Sequence, residues 1–520
     1  MGLESGLAIT SRHTAGALQV KDTDRRIIRK RKARVTRRLA NKLRRGDGDR
    51  PVLSARLPRY EMGDRVTATK AGGVGAIHAL VRRLGVPEAI DERLHLLKRH
   101  LPYHESDHVL ALAYSVLIGG TRLQDLDSVR EDEALMNMLG ARRLPDPTTA
   151  GDFLRRFSKK NIEVLQSLIN EKRVEVWKRQ PKAFRKRAVI DADGTVAGTT
   201  GEKKFDMDFN FHKKVWGYHP LLVSLANTRE PLLLVNRPGN VVSHQGAAAA
   251  LDEAIALVSP VFESVLLRGD TDFSLTVNFD RWSKQGVKFV FGFDAHPNLV
   301  ALANELPSGK WKCFRRPPRY EAESSREKRP HVKDQLVAEK GWKNLVLKAE
   351  HITEFTYQPK KCSRPYRMIV LRKKIDEKQG QKVLFEQHRY FFYVTNDADI
   401  TAEQVVRESN ERCDQENLIA QLKSGIEALR MPVHDLLSNW AYMVIASLAW
   451  TFKAWFGLTL PRSQDRKEIV RMEFRRFLHT VVLIPAQVLR SGRRTVVRLL
   501  AWTRLIRLLF RSMQSTATLT

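Results

Sequence analysis

The sequence predicts an α/β fold, a strand-and-helix core interrupted by a β-rich insertion and flanked by helical regions, and three observations predict it. Apolar residues recur at helical spacing from about 70 to 180. Near 187 the texture changes to short apolar strands alternating with helices. Beyond Asp294 a Pro-, Lys- and Arg-rich stretch leads into longer strands before helical spacing returns. A chain of 520 residues divides into several cores, because a single core stops growing near roughly 250 to 300 residues.

Taken in order, residues 1–60 are basic and poor in apolar periodicity, with Gly46, Gly48 and Pro51 closing the charge run, and are expected to be a flexible arm. Residues 61–182 carry AIHALVRRLGV, HVLALAYSVLIGG and the long stretch from Ala150 to Trp177, a helical domain expected to bind DNA. Residues 183–298 hold the strands RAVIDAD, GYHPLLVSLAN and PLLLVNR, the helix HQGAAAALDEAIALV, the strand ESVLLRGD, a helical TVNFDRWSKQG and the strand VKFVFGFD. Residues 299–400 form the insertion, with strands in NLVLKAEHITEFTY, YRMIVLRKK and HRYFFYVTN. Residues 401–432 are one long helix from about Ala402 to Leu429, stopped by Met431-Pro432. Residues 433–520 are expected to be basic and helical.

Charge narrows the partners. Lys plus Arg number 90 and Asp plus Glu 58, a formal charge of +32, so the chain seeks polyanions. Residues 25–45 hold twelve Lys or Arg and no acid, a density that marks a nucleic-acid arm unless it is a solvated tail. Cys313, Cys362 and Cys413 are far apart and form no CxxC pair, so neither zinc nor a disulfide framework is indicated. A reducing cytoplasm fits this usage, and the N-terminus, without a charged start and apolar run, is not expected to be a signal peptide. The apolar stretch Ala441 to Leu460 is interrupted by Lys453 and reads as a buried helix, not a membrane span.

The chemistry rests on carboxylates. Two-metal phosphoryl transfer needs several of them converging on ions about 3.5 to 4 Å apart. Asp193 sits where the strand AVI gives way to D-A-D-G-T, and Asp270 just past the strand SVLLRGD. Ser409, Arg412, Glu416 and Lys423 lie at offsets of 0, 3, 7 and 14, which at about 100° per residue keeps them within about 60° of one another on a helix. Glu416 on that face can be a metal ligand while Arg412 and Lys423 hold DNA phosphates, although a solvated face with routine ion pairs shows the same spacing. Asp191 competes with Asp193, since the two point the same way on a strand. Asp272 is either an outer contact or a helix cap.

Three strands, a helix, a strand, a helix, a strand and a late helix is the succession of an RNase H-like core. The residues resemble bacterial insertion-sequence transposases of the DDE class, closest to the group named insertion sequence thirteen-eighty within the insertion-sequence-four clan. The likeness runs through LPDPTTAGDFLRRF, DADGT, GYHPLLV, NRPGN, RGDTDF and SNERCDQENLIAQLK. The last reproduces the clan's Tyr, Arg, Glu, Lys gaps with Arg412, Glu416 and Lys423, but Ser409 stands where the tyrosine is expected. The resemblance implies that Asp193, Asp270 and Glu416 bind two Mg (or Mn) ions, favours Asp193 over Asp191, and makes the β-rich segment the family's insertion domain. It implies cleavage of terminal inverted repeats, a hairpin intermediate, strand transfer into target DNA, and a homodimer that pairs two ends. The alternatives are a nuclease that cleaves without joining, and a transposase-derived DNA-binding protein whose catalysis is impaired.

Other residues are weaker candidates. Asn236 to Asn240 form a turn in which Arg237 can touch DNA, with a plain β-turn equally open. His212, His219 and His244 show no zinc spacing and read as packing or phosphate contacts. Trp311, Trp342 and the run Tyr390 to Tyr393 can stack an unpaired base, though alternating aromatics on a strand are more often core.

Overall fold

The structure is a computed structural model that describes residues 22–40, 60–61, 64, 66–100, 102–199, 204–316, 339–340, 343–379, 382–491 and 494–518. Gly46, Gly48, Pro51 and Trp342 lie outside the described residues. The chain divides into two compact units, Met1–Asp91 with Arg99–Pro147 and Trp455–Thr520, and Glu92–Lys98 with Thr148–Ala454. The helical stretch expected over 61–182 is therefore shared: Thr148 onward belongs to the sheet-containing unit. Long-range contacts decide this, for helix Lys159–Lys178 is tied to the sheet by Asn170 Nδ2 donating to the Leu232 carbonyl and by a buried Arg173–Glu230 pair at 3.0 Å.

In the first unit, helices Val74–Arg83, Glu105–Leu117 and Ile506–Ala517 bury apolar faces. Strands Ala486–Ser491 and Arg494–Leu499 form a hairpin, and Ala68–Thr69 pairs with its first strand. Continuous helix was expected over this C-terminal stretch. The alternation of R-T-V-V-R-L suits a strand, and pairing with Ala68 and Thr69 selects it. Asp22–Ala40, expected to be part of a flexible arm, is a helix. Asp22 and Asp24 sit in its first turn and Arg37 and Arg38 in its last, each sign complementing the helix dipole, and Arg31 donates to the Leu499 carbonyl at 2.6 Å.

The second unit is built on a nine-stranded mixed sheet. Its strands include β1 (Ala188–Gly194), and a small separate sheet follows at once: β2 (Ala197–Gly198), β3 (Asp208–Asn210) and β4 (Val215–Tyr218). The large sheet continues with β5 (Leu221–Leu225), β6 (Glu230–Val235), β7 (Val265–Gly269), β8 (Lys288–Phe293), β9 (Lys312–Cys313), β10 (Lys343–Tyr357), β11 (Tyr366–Gln379) and β12 (Lys382–Thr395). The order is β9-β10-β11-β12-β8-β7-β1-β5-β6. β1, β7 and β8 are parallel, β5 runs antiparallel beside β1, and β6 runs antiparallel beside β5. Helices Ala247–Val258 and Phe279–Lys284 make the crossovers into β7 and β8. The expected insertion is not separate from the core sheet: its last strand pairs with β8 from Phe392↔Phe293 to Thr395↔Val290.

β1 is central and buried, as its apolar run requires. Val189, Leu266, Val290, Ile352, Ile369 and Leu371 form one cluster with Val405 and Val406, which fixes helix Ala402–Glu411 against the sheet. The single helix expected from Ala402 to Leu429 is divided. Ala402–Glu411 and Cys413–Ala420 meet at Arg412, and Gln421–Gly425 is a π-turn in which the Ile426 amide donates to the Gln421 carbonyl. Helix Leu436–Leu458 is long and apolar enough to cross a membrane but is wholly buried in protein. Lys453, the charge within it, lies with its Nζ 3.6 Å from the Trp450 ring centroid.

Candidate active site

β1 delivers Asp193 at its C-terminal end, β7 delivers Asp270 in the residue after it, and parallel pairing puts these ends side by side. Asp270 caps the short turn Thr271–Phe273, its Oδ1 accepting from the Asp272 amide at 3.1 Å. Glu416 comes from helix Cys413–Ala420, and Arg412, at the junction, links it to the strands. Arg412 Nη1 is 3.4 Å from Asp193 Oδ2 and its Nη2 is 3.9 Å from Glu416 Oε1.

The electrostatics record the crowding. Burial pushes Asp193 up to about 6, with Asp270 and Glu416 adding to the rise and Arg412 opposing it. Burial also raises Asp270, where Arg412 opposes and Asp272 adds. Two half-buried carboxylates in each other's field, with hard oxygen donors, suit a divalent cation. Among the described residues no three ligating side chains yet form a closed cluster. Glu416 is 62 % exposed, so its side chain is free to swing toward the two aspartates.

The remaining candidates separate by environment. Asp191 faces the same side as Asp193 but is 1 % exposed and gripped by Arg268, Nε to Oδ1 at 2.7 Å and Nη2 to Oδ2 at 2.9 Å. Arg268 Nη1 also donates to the Glu408 carbonyl at 3.1 Å. Lys423 Nζ donates to the Val196 carbonyl at 2.8 Å, just past Asp193, and burial lowers its ammonium while Asp193 opposes that. Ser409 lies one turn before Arg412 on helix Ala402–Glu411 and is half-buried. Asp272 is exposed beside Asp270.

Arg237, expected as a DNA contact, is 7 % exposed. Its Nε donates to the His219 carbonyl at 2.8 Å and its Nη1 to those of Ser243 at 3.0 Å and Gln245 at 2.6 Å. It organises the loop after β6, and burial lowers its pKa to about 10. Three of the base-stacking candidates of the insertion are engaged as well, while Phe391 is 40 % exposed: Arg372 lies 4.0 Å from the Trp311 ring centroid, Tyr390 donates to Asn304 at 2.5 Å, and Phe392 is buried.

Sequence reasoning misses one residue. Arg268 is the lone charge inside VLLRG, a signal in itself, because a buried strand tolerates such a charge only with a partner. His219 packs beside the acids. Its Nδ1 hydrogen-bonds the Val241 carbonyl at 2.7 Å, and a Cβ on Gly194 would lie 2.9 Å from its Nε2.

A parallel centre with antiparallel flanking strands, and carboxylates gathered at strand ends around an arginine, define an α/β protein with an acidic site at its strand ends. The family described as Transposase DDE domain group 1 matches residues 58–518, and the chain belongs to it: it is a DDE transposase. A solved structure, the cryo-EM structure of a piggyBac transposase synaptic complex with hairpin DNA, is similar over 79 % of this chain and 80 % of that one, at 12 % identity and a TM-score of 0.32. That likeness is too distant to transfer anything to this chain. A comparison with curated proteins found no match.

Proposed function

We propose that this transposase cuts the ends of a bacterial insertion sequence and joins them to target DNA, with Asp193, Asp270 and Glu416 as the metal-binding acids. The observation that carries the reading is the convergence of Asp193 and Asp270, with Arg412 reaching both Asp193 and Glu416. The sheet order β8-β7-β1-β5-β6 supports an RNase H-like core around them.

Bound Mg or Mn would activate water toward the scissile phosphate and stabilise the leaving 3′ oxygen. The chain's own residues do the rest. Asp193 and Asp270 present oxygens from rigid strand ends, which fixes the position of the reacting phosphate. Asp191, locked by Arg268, holds β1 and β7 in register and ties them to the helix that precedes Arg412. Arg412, which contacts Asp193 at 3.4 Å, would be free to pair with a DNA phosphate once Asp193 held a metal, with Lys423 one element further on. The freed 3′-OH then attacks the opposite strand to form a hairpin, and two copies of the chain pair the two ends.

One residue favours a second reading, a transposase-derived protein with impaired catalysis. Ser409 supplies a short hydroxyl where the family resemblance expects a tyrosine. A single assay separates these readings. Purified chain with Mn²⁺ and duplex carrying the inverted repeats that flank the reading frame should nick, form hairpins and transfer strands. Glu416→Gln should bind the ends and do none of these. Wild-type nicking without transfer means a nuclease, binding without nicking means an impaired descendant, and unchanged nicking by the variant removes Glu416 from the site.

A further inference from the structure

Between Asp193 and the next strand of the large sheet, the chain makes a hairpin whose apolar side chains face water. Phe211 is 76 % exposed and Trp216 52 %. Phe209 pairs with Trp216 across the hairpin, and its ring contacts both others, at 5.3 Å from Phe211 and 5.6 Å from Trp216. Three aromatic rings in contact on a surface element are an interaction site, since the hydrophobic effect would otherwise fold them inward.

The hairpin is rigidly built. Asn210 is buried, its Nδ2 donating to the Gly239 carbonyl at 2.8 Å and its Oδ1 accepting from the Lys213 amide at 2.9 Å. Tyr218 donates its hydroxyl hydrogen to the Phe205 carbonyl at 2.8 Å. At Gly217 a Cβ would lie 2.2 Å from the Ala197 carbonyl oxygen, so β2 and β4 approach as closely as backbones can. Rings held this way lose little freedom when a ligand arrives.

Charge selects the ligand. From Phe209 to Tyr218 the side chains are aromatic, basic or apolar apart from buried Asn210; Asp206 and Asp208 precede them, and Lys213 and Lys214 form no ion pair with the described residues. A protein partner would need acids to match these lysines, whereas a nucleotide offers a base to stack and a phosphate to pair. Position agrees. β2 starts three residues after Gly194, and Lys423, which lies in the field of Asp193, lies also in that of Lys213. In the insertion, by contrast, Trp311 and Tyr390 are occupied by Arg372 and Asn304.

We propose that Phe211 and Trp216, with Lys213 and Lys214, bind an unpaired nucleobase of the DNA end and its adjoining phosphates beside the three acids. This rests on the DNA-cutting reading above. The surface would hold open the strand whose phosphate is being cut, so that the terminal pair melts onto aromatic rings instead of into water.

The test uses the full chain in EDTA with two probes, a flush 20-base-pair duplex and the same duplex with a four-nucleotide overhang containing 2-aminopurine. Wild type should bind the overhang more tightly and quench the aminopurine. The double variant F211A/W216A should lose roughly tenfold or more on the overhang, and the quenching with it, while its affinity for the flush duplex holds. W216F, which keeps a ring, should retain most of the effect and shows that loss of the ring, not of the fold, is being read. Equal loss on both duplexes, or no loss on either, overturns the proposal. So does a drop in sedimenting mass for F211A/W216A, which makes the hairpin a contact between copies of the chain. If wild type nicks DNA with Mn²⁺ but the hairpin variants bind both probes unchanged, this inference falls and the cleavage reading stands. If wild type neither binds nor nicks, both fall.

Discussion

Arg268 holds Asp191 in a two-pronged ion pair, both side chains almost wholly buried, two residues before Asp193 on the same face of the same strand. Burial works against the Arg268 charge, but Asp191, Glu408 and Glu411 outweigh it and hold the guanidinium above its ordinary range. Asp193, one pleat further, has no such partner. Arg412 touches it at 3.4 Å with poor overlap, and its nearest acid neighbour repels it. One strand thus carries one aspartate locked in an ion pair and one left crowded among other acids.

That difference predicts opposite responses to the same change. Asp191→Asn leaves buried Arg268 without its closest counter-charge, with only Glu408 and Glu411 at 3.5 Å, and should cost about 3 kcal/mol of stability. Asp193→Asn removes a repelled charge and should leave the metal-free chain as stable or more so, while abolishing nicking. Urea unfolding and a plasmid-nicking assay on both variants check this. A stable Asp191→Asn alongside an unfolded Asp193→Asn would reverse the two roles.

The raised carboxyl of Asp193 also predicts how stability moves with pH. Its folded pKa, about 6, exceeds the ordinary 3.8, so the folded state binds the proton more tightly than the unfolded chain does. The contribution is complete below about pH 4 and is lost as pH rises through 6. Asp193→Asn escapes that loss. Relative to wild type in EDTA, it should gain stability steadily from pH 4 to 7, by up to about 3 kcal/mol. A constant difference across that range would mean that Asp193 is not crowded as described.

How much of this was legible depends on the reach of each interaction. The runs AVI, VLLRG and KFVFGF announce buried strands, and acids just past them announce a site, because both signals are local. The fate of Asp191 depended on Arg268, 77 residues away, and no spacing rule reaches that far. Arg237 looked like a free cation in a turn, and only the carbonyls of Ser243 and Gln245 folding back on it reveal its burial. The break at Arg412 escaped for another reason. Residues 402–425 contain no Pro and no Gly before Gly425, so nothing in the local chemistry marked the junction.

Arg173 and Glu230 anchor helix Lys159–Lys178 to β6, and Glu230 also accepts from Trp177 Nε1 at 3.0 Å. Burial lowers the Arg173 pKa and Glu230 opposes that, so each charge depends on the other. Glu230→Ala should cost about 3 to 5 kcal/mol, and adding Arg173→Met should restore most of it, since an apolar pair replaces a stranded cation. A double-mutant cycle by urea unfolding measures this. Simple addition of the two losses would show that the pair is not coupled.

Gly194 follows Asp193, and its missing side chain leaves room for His219. A Cβ there would lie 2.9 Å from His219 Nε2, 3.4 Å from Ser243 Cβ and 3.5 Å from Arg237 Nη2. The imidazole cannot easily yield, because its Nδ1 is held by the Val241 carbonyl and its backbone amide donates to the Arg237 carbonyl at 2.8 Å. Gly194→Ala should therefore cost about 1 to 3 kcal/mol, the usual range for overpacking, and slow nicking by displacing the end of β1. His219→Ala in the same chain vacates the contested space. The double variant should regain thermal stability lost by Gly194→Ala alone, and a further drop in melting temperature instead would mean that the glycine is required for another reason.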